Sequence, residues 1–169
     1  MSSTRLLLPY LGRWKQFRKS RFHQIAERLV EREFEVHILQ TPETQSEEVL
    51  FREREIQTPE DLYLHDAELS RRVWNNSLTN KVLQKGYYGV GTVPQVRSLV
   101  REYDIDALWL YNLPHYLLAA RADVPILFDY VDDYVAMLNT ELGTTGNALL
   151  RCVENAFFSQ ILTNADLVF

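Results

Sequence analysis

Hydrophobic positions in this chain switch between strand-like runs and helical spacing. Arg5 to Pro9 is a short apolar stretch, read as a first strand. A basic, aromatic loop covers Tyr10 to Lys19. Phe22, Ile25, Ala26, Leu29 and Val30 then recur at helical spacing, with Glu27, Arg28, Glu31 and Arg32 opposite. Ser20 stands at the N-cap of that helix. Glu35 to Gln40 carries Val36, Ile38 and Leu39 and stops at Thr41-Pro42, which predicts a second strand. Strand, helix and strand in succession make a βαβ unit and hence a parallel sheet.

Residues 43–91 carry less signal. A short strand is predicted around Val49 to Phe51, a largely helical stretch from Pro59 to Lys85, and a loop at Gly86-Tyr-Tyr-Gly-Val-Gly91. Periodicity returns with Val93, Val96, Leu99, Val100 and Tyr103, a helix. Ala107 to Tyr111 is a continuous apolar run, as in a strand covered on both faces. Asn112 to His115 turns into a short helix ending near Ala122, and Val124 to Tyr130 is the next strand. Tyr134 to Leu138 and Asn147 to Thr163 are helical, and Asn164 to Phe169 opens another strand. The alternation predicts an α/β fold, Rossmann-like and doubly wound, with a mostly parallel sheet in one domain spanning 1–169.

Composition agrees with a globular domain. Of 169 residues, 46% are hydrophobic and 24% charged, which argues against disorder. No apolar run approaches the roughly 20 residues of a membrane-spanning helix. The N-terminus lacks the apolar core of a signal peptide, so a cytoplasmic location is expected. The single cysteine, Cys152, leaves no internal disulfide and no cysteine zinc cage. The net charge of −5 hides an asymmetry: residues 1–22 hold six basic residues and no acidic ones, leaving 12 basic and 23 acidic beyond them. Nucleic-acid binding needs a broad basic face, and this chain is basic in one place only.

Several motifs are absent. The turn after the first strand has one glycine, Gly12, where a dinucleotide fingerprint needs three. No phosphate-loop signature occurs. Asp129, Asp132 and Asp133 admit a magnesium site or a strand end with a helix N-cap. They follow a central strand, on the edge where open α/β sheets bind ligands. His115 holds the same position on the preceding strand. His37 alternates with apolar neighbours inside a strand and is read as structural. The loop around Trp14, Lys15, Arg18 and Lys19, ahead of a helix N-terminus, suits an anionic ligand or membrane surface, or is a solvated loop over tucked aromatics.

Taken in order, these segments resemble the N-terminal domain of GT-B glycosyltransferases of the family 4 (group 1) type. Arg21-Phe-His-Gln-Ile-Ala-Glu-Arg-Leu-Val through Ile38-Leu39 is similar to their first helix and second strand. Ala107-Leu-Trp-Leu-Tyr-Asn-Leu-Pro-His115 is similar to their fourth-strand region. Ile126-Leu-Phe-Asp-Tyr-Val-Asp-Asp133 resembles their Tyr-Asp-x-Val-Asp-Asp strand end, and Asn164-Ala-Asp-Leu-Val-Phe169 their Ala-Asp-x-Val strand. The chain departs from the pattern at Gly12, which stands without a second glycine, at Phe22 for Pro, and at Glu33-Phe34 for Gly-His.

The resemblance implies a two-domain enzyme in which this chain is the acceptor-side half and a C-terminal domain holds the nucleotide-sugar donor. It implies no cofactor and no metal in this domain, and a sugar or lipid-linked acceptor as partner. Carried over, His115 and Asp132 are the catalytic candidates. Gly12, Arg13, Arg21, His23, Asn112, Asp129 and Asp133 are the cleft candidates. Peripheral contact at the inner membrane face is the expectation for the basic loop. The competing expectation is a stand-alone binding module that docks to an anionic membrane or acidic partner through residues 13–21.

Overall fold

The computed structural model describes residues 3–15, 20–42, 58–70, 81–111, 115–130 and 148–169. The elements are β1 (Arg5–Tyr10), α1 (Arg21–Val30), β2 (Glu35–Gln40), β3 (Leu62–Asp66), α2 (Lys81–Gly91), α3 (Val93–Glu102), β4 (Ala107–Leu110), α4 (Tyr116–Ala119), β5 (Ile126–Phe128), α5 (Ala148–Asn164) and β6 (Leu167–Val168). The six strands form one sheet in the order β3-β2-β1-β4-β5-β6, and every neighbouring pair is parallel. The fold is α/β and Rossmann-like, as the alternation predicts.

Both faces of the sheet are covered, which is why its central strands read as unbroken apolar runs. Leu7 and Leu8 are adjacent and both fully buried, but they face opposite layers. Leu7 packs with Leu39, Leu108, Tyr88 of α2, Val96 and Leu99 of α3 and Ile161 of α5. Leu8 packs with Ile38, Trp109 and Ala26 of α1. Each such side chain contributes about 1.5–3 kcal/mol by leaving water.

Local chemistry ends the elements where expected at α1. The backbone N–H of Ser20 donates to Nδ1 of His23, three residues on, in the manner of a capping box. At the other end Glu33 adopts a left-handed φ of 65°, and the Phe34 N–H closes back on Leu29 O at 3.1 Å. Glycine favours that position, so Glu33 holds it at a conformational cost.

Two elements correct the sequence reading. Residues 62–66, expected within a helix, form the edge strand β3. Residues 86–91, expected as a loop, complete the helix α2. Tertiary burial overrides glycine's poor helix propensity there: Tyr88 is fully buried and its hydroxyl donates to Leu39 O. Gly91 lets the Leu69 side chain approach closely: a Cβ would meet Leu69 Cδ2 at 2.5 Å and push that chain end aside. The strand expected at 49–51 and the helix expected at 134–138 lie outside the described residues.

Candidate functional site

The winding of the sheet reverses between β1 and β4, so the crevice at their carboxyl ends is the topological switch point. Three chain segments meet there: the loop after β1 with the start of α1, the end of β4 with His115, and the end of β5 with Asp129. Tyr111, just past β4, joins them. Its hydroxyl accepts the Leu11 N–H at 2.8 Å, its ring lies against Phe22 at 4.2 Å, and its ring meets His115 edge-on at 5.2 Å.

The strongest electrostatic contact in the crevice joins α1 to β5. Arg21 Nη2 donates to Asp129 Oδ1 at 2.9 Å. The Asp129 side chain is fully covered, whereas that of Arg21 is 47% exposed. Asp129 is held in place by its own N–H, which donates to Leu110 O at 2.8 Å. Burial raises its pKa above the ordinary carboxylate value, and the Arg21 guanidinium and the Trp109 indole oppose that rise. Among the described residues, Asp129 Oδ2 and Trp109 Nε1 have no hydrogen-bond partner, so the indole's approach stops short of a formed bond.

His115 is also fully buried. Its Nδ1 accepts a long bond from the Tyr111 N–H at 3.4 Å. Nε2 therefore carries the proton in the neutral ring, and this donor has no partner among the described residues. Burial lowers its pKa to about 3. His115 is thus a neutral hydrogen-bond donor at physiological pH, suited to a hydroxyl oxygen rather than to storing charge.

No family model matches the chain, and no curated protein matches it. The arrangement is therefore read on its own geometry. Buried, incompletely partnered polar atoms at a switch point are what a ligand with several hydroxyl groups would satisfy. Among the described residues no group of three or more His, Cys, Asp or Glu is placed to hold a metal ion.

The other sequence candidates divide. Arg13 is turned away from the β1–β4 crevice: its Nη1 donates to Thr41 O at 3.0 Å and to Asp66 Oδ1 at 2.9 Å, tying the ends of β1, β2 and β3. Gly12 is buried in the same turn, its N–H on Tyr10 O at 2.8 Å and its carbonyl accepting Thr41 N–H at 3.0 Å. His23, a cleft candidate, is fully buried beneath the loop. Both its ring nitrogens are engaged, Nδ1 by Ser20 and Nε2 by Trp14 O at 2.8 Å.

Trp14 corrects the docking expectation most clearly. It is 1% exposed and stacks on His23 at 3.9 Å, so it presents no ring to a membrane. Lys15 is exposed. Asn112, Asp132, Asp133, Arg18 and Lys19 lie outside the described residues. The residues that sequence reasoning left to the core are Trp109 and Tyr111. Their apolar run hides that a Trp and a Tyr each carry a polar atom, and register alone sends both to the Asp129 side of the sheet.

Proposed function

We propose that this chain is the N-terminal, acceptor-side domain of a nucleotide-sugar-dependent glycosyltransferase of GT-B architecture, acting in glycan or glycolipid biosynthesis. One observation carries the reading: the covered Asp129, with Arg21, and the neutral donor His115 converge on the β1–β4 switch point. Glycosyl transfer needs an alcohol acceptor held with its oxygen aimed at the anomeric carbon. His115 Nε2–H fits a hydroxyl oxygen, and Asp129 Oδ2 fits a hydroxyl hydrogen. The donor nucleotide-sugar is expected in a second domain, and Asp132 remains a candidate for proton transfer from the acceptor. The cellular setting proposed is the cytoplasm, at the inner membrane face for a lipid-linked acceptor.

The test is nucleotide release by the protein expressed from its whole natural reading frame, with a panel of nucleotide-sugars and alcohol acceptors. The expected result is turnover that His115→Ala lowers by about 10²–10⁴-fold with the fold intact. Absence of nucleotide release with every donor, or full activity in that variant, defeats the proposal.

A second reading has its own support. Along α1 and just past its end, Arg21, Arg28 and Arg32 surround the half-buried Ile25 and Leu29 on an open surface. A stand-alone module docking to an anionic membrane or acidic partner would use this face. No helix of the described residues is long and apolar enough to cross a membrane. Salt-sensitive binding to vesicles containing phosphatidylserine, lost in Arg28→Gln/Arg32→Gln, supports this reading, and no binding at low salt ends it.

A further inference from the structure

Far from the crevice, β2 and β3 bring three polar side chains into one chain of contacts. Glu35 Oε1 lies 2.8 Å from His37 Nε2, and His37 Nδ1 lies 2.9 Å from His65 Nε2. The two imidazole planes are within 5° of parallel and meet edge to edge, their centroids 5.2 Å apart. His37 is fully buried in the sheet, and His65 lies on the edge strand with partial exposure. Tyr63 stacks on His37 at 5.0 Å from within β3. Tyr103, at the end of α3, packs on both rings at 4.7 and 5.2 Å.

The contacts dictate the tautomers. A carboxylate only accepts, so with both rings neutral His37 Nε2 carries the proton and its Nδ1 has the lone pair. His65 Nε2 must then be the donor to it. A first extra proton can enter on His65 Nδ1 without breaking any contact. A second, on His37 Nδ1, would set two N–H groups against each other at 2.9 Å. The contact between the rings therefore admits at most one extra proton.

We propose that the His37–His65 pair is a proton-operated latch that holds the edge strand β3 onto β2 near neutral pH and releases it in mild acid. The charged groups around the pair come from every neighbouring element. Glu35 stands on β2, Glu102 on α3, and Arg5 on β1 reaches Glu35 at 3.4 Å and Asp104 at 3.7 Å. Burial lowers the pKa of His65, His37 lowers it further, and Glu102 opposes them. With β3 undocked, the His65 ring is hydrated and protonates near the ordinary histidine value of about 6.5. The sign follows: the released state binds more protons, so docking is favoured above pH 6.5 or so and weakens as pH falls below it.

Release would reach the crevice. Asp66, next to His65, accepts from Arg13 Nη1 and Gln40 Nε2 at 2.9 Å each, and Gln40 Oε1 accepts the Trp14 N–H at 3.0 Å. Undocking β3 thus removes the Asp66 anchor of Arg13 and the Asp66 partner of Gln40, which itself holds the Trp14 N–H.

The test is native-state hydrogen exchange of the whole chain between pH 7.5 and 5.5, each rate normalised to that of the free amide. Protection of the β3 amides that face β2 (Tyr63 and His65) should fall about tenfold per pH unit below 6.5, the effect of one extra proton. Protection in β1 and β4 should hold. In His65→Gln, whose amide can either donate to or accept from His37 Nδ1, the pH dependence should vanish. Constant β3 protection in the parent chain overturns the latch, and so does an equal loss across all strands. Persistence of the full pH effect in His65→Gln overturns it as well. Ring ¹⁵N shifts of the parent chain give an independent check: a protonated His37 Nδ1 at pH 7.5 would refute the tautomer assignment.

Discussion

Replacing Arg21 by Met removes the cation that faces Asp129 and keeps a good helix former at the start of α1. The carboxylate then stands covered, with both oxygens unpartnered. Breaking a fully buried pair in this way costs about 3–5 kcal/mol, and an exposed pair is worth about 0–1 kcal/mol. Here Asp129 is fully covered and Arg21 is 47% exposed, which places the loss between those limits, at about 2 kcal/mol near neutral pH. For a chain of this length the midpoint of thermal unfolding should drop by about 4–8 °C.

The pH dependence separates this cause from simple loss of packing. Burial already gives Asp129 a folded pKa above its unfolded value. The folded state therefore binds the proton more tightly, and stability declines as pH rises from the unfolded value through the folded one. Arg21→Met raises the folded value further and widens that window. Urea unfolding of parent and variant at pH 8 and pH 4.5 should show a large gap at pH 8 and a small one at pH 4.5. Adding Asp129→Asn, which removes the stranded charge, should recover part of the loss at pH 8. Equal losses at both pH values would refute the electrostatic account, as would a double variant no better than Arg21→Met alone.

Other expectations follow from single contacts. Tyr88→Phe leaves the Leu39 carbonyl without its hydroxyl donor, and urea unfolding should register a loss of about 1 kcal/mol. Gly86 sits within α2 with open space where a Cβ would be, so Gly86→Ala should stabilise by about 0.5–1 kcal/mol in the same assay. Glu33→Gly relieves a left-handed backbone at the α1–β2 turn and should raise the thermal midpoint, with a drop counting against strain there. The His115 ring should stay neutral until about pH 3, and an NMR titration with a midpoint near 6.5 would show that it is solvated rather than enclosed.

The first βαβ unit was legible because three independent local signals agree on it. An apolar run, a helical stripe and a Ser20 N-cap all occur in order, and the observed boundaries of α1 and β2 match them. The same consistency marked α3, β4 and α5. Residues 62–66 and 86–91 depart from their local pattern for two different reasons. The edge strand β3 has only Leu62 fully buried, so its alternation is faint, and Gly86 and Gly91 mimic a loop until Tyr88 inserts into the core.

The sequence by itself determined the class of the fold and the strand ends on which polar residues would sit. Both depend on the period of the hydrophobic pattern, which is local. Only the tertiary structure decided which of those residues meet. Arg21 and Asp129 are 108 positions apart, and strand order alone brings them to 2.9 Å. Arg13 and Trp14 had the same composition cues as Arg21, yet one is drawn to Asp66 and the other is buried against His23. His37 was legible as a structural strand residue, but its meeting with His65 was not, because a pair across parallel strands is set by register, and register is a property of two segments at once.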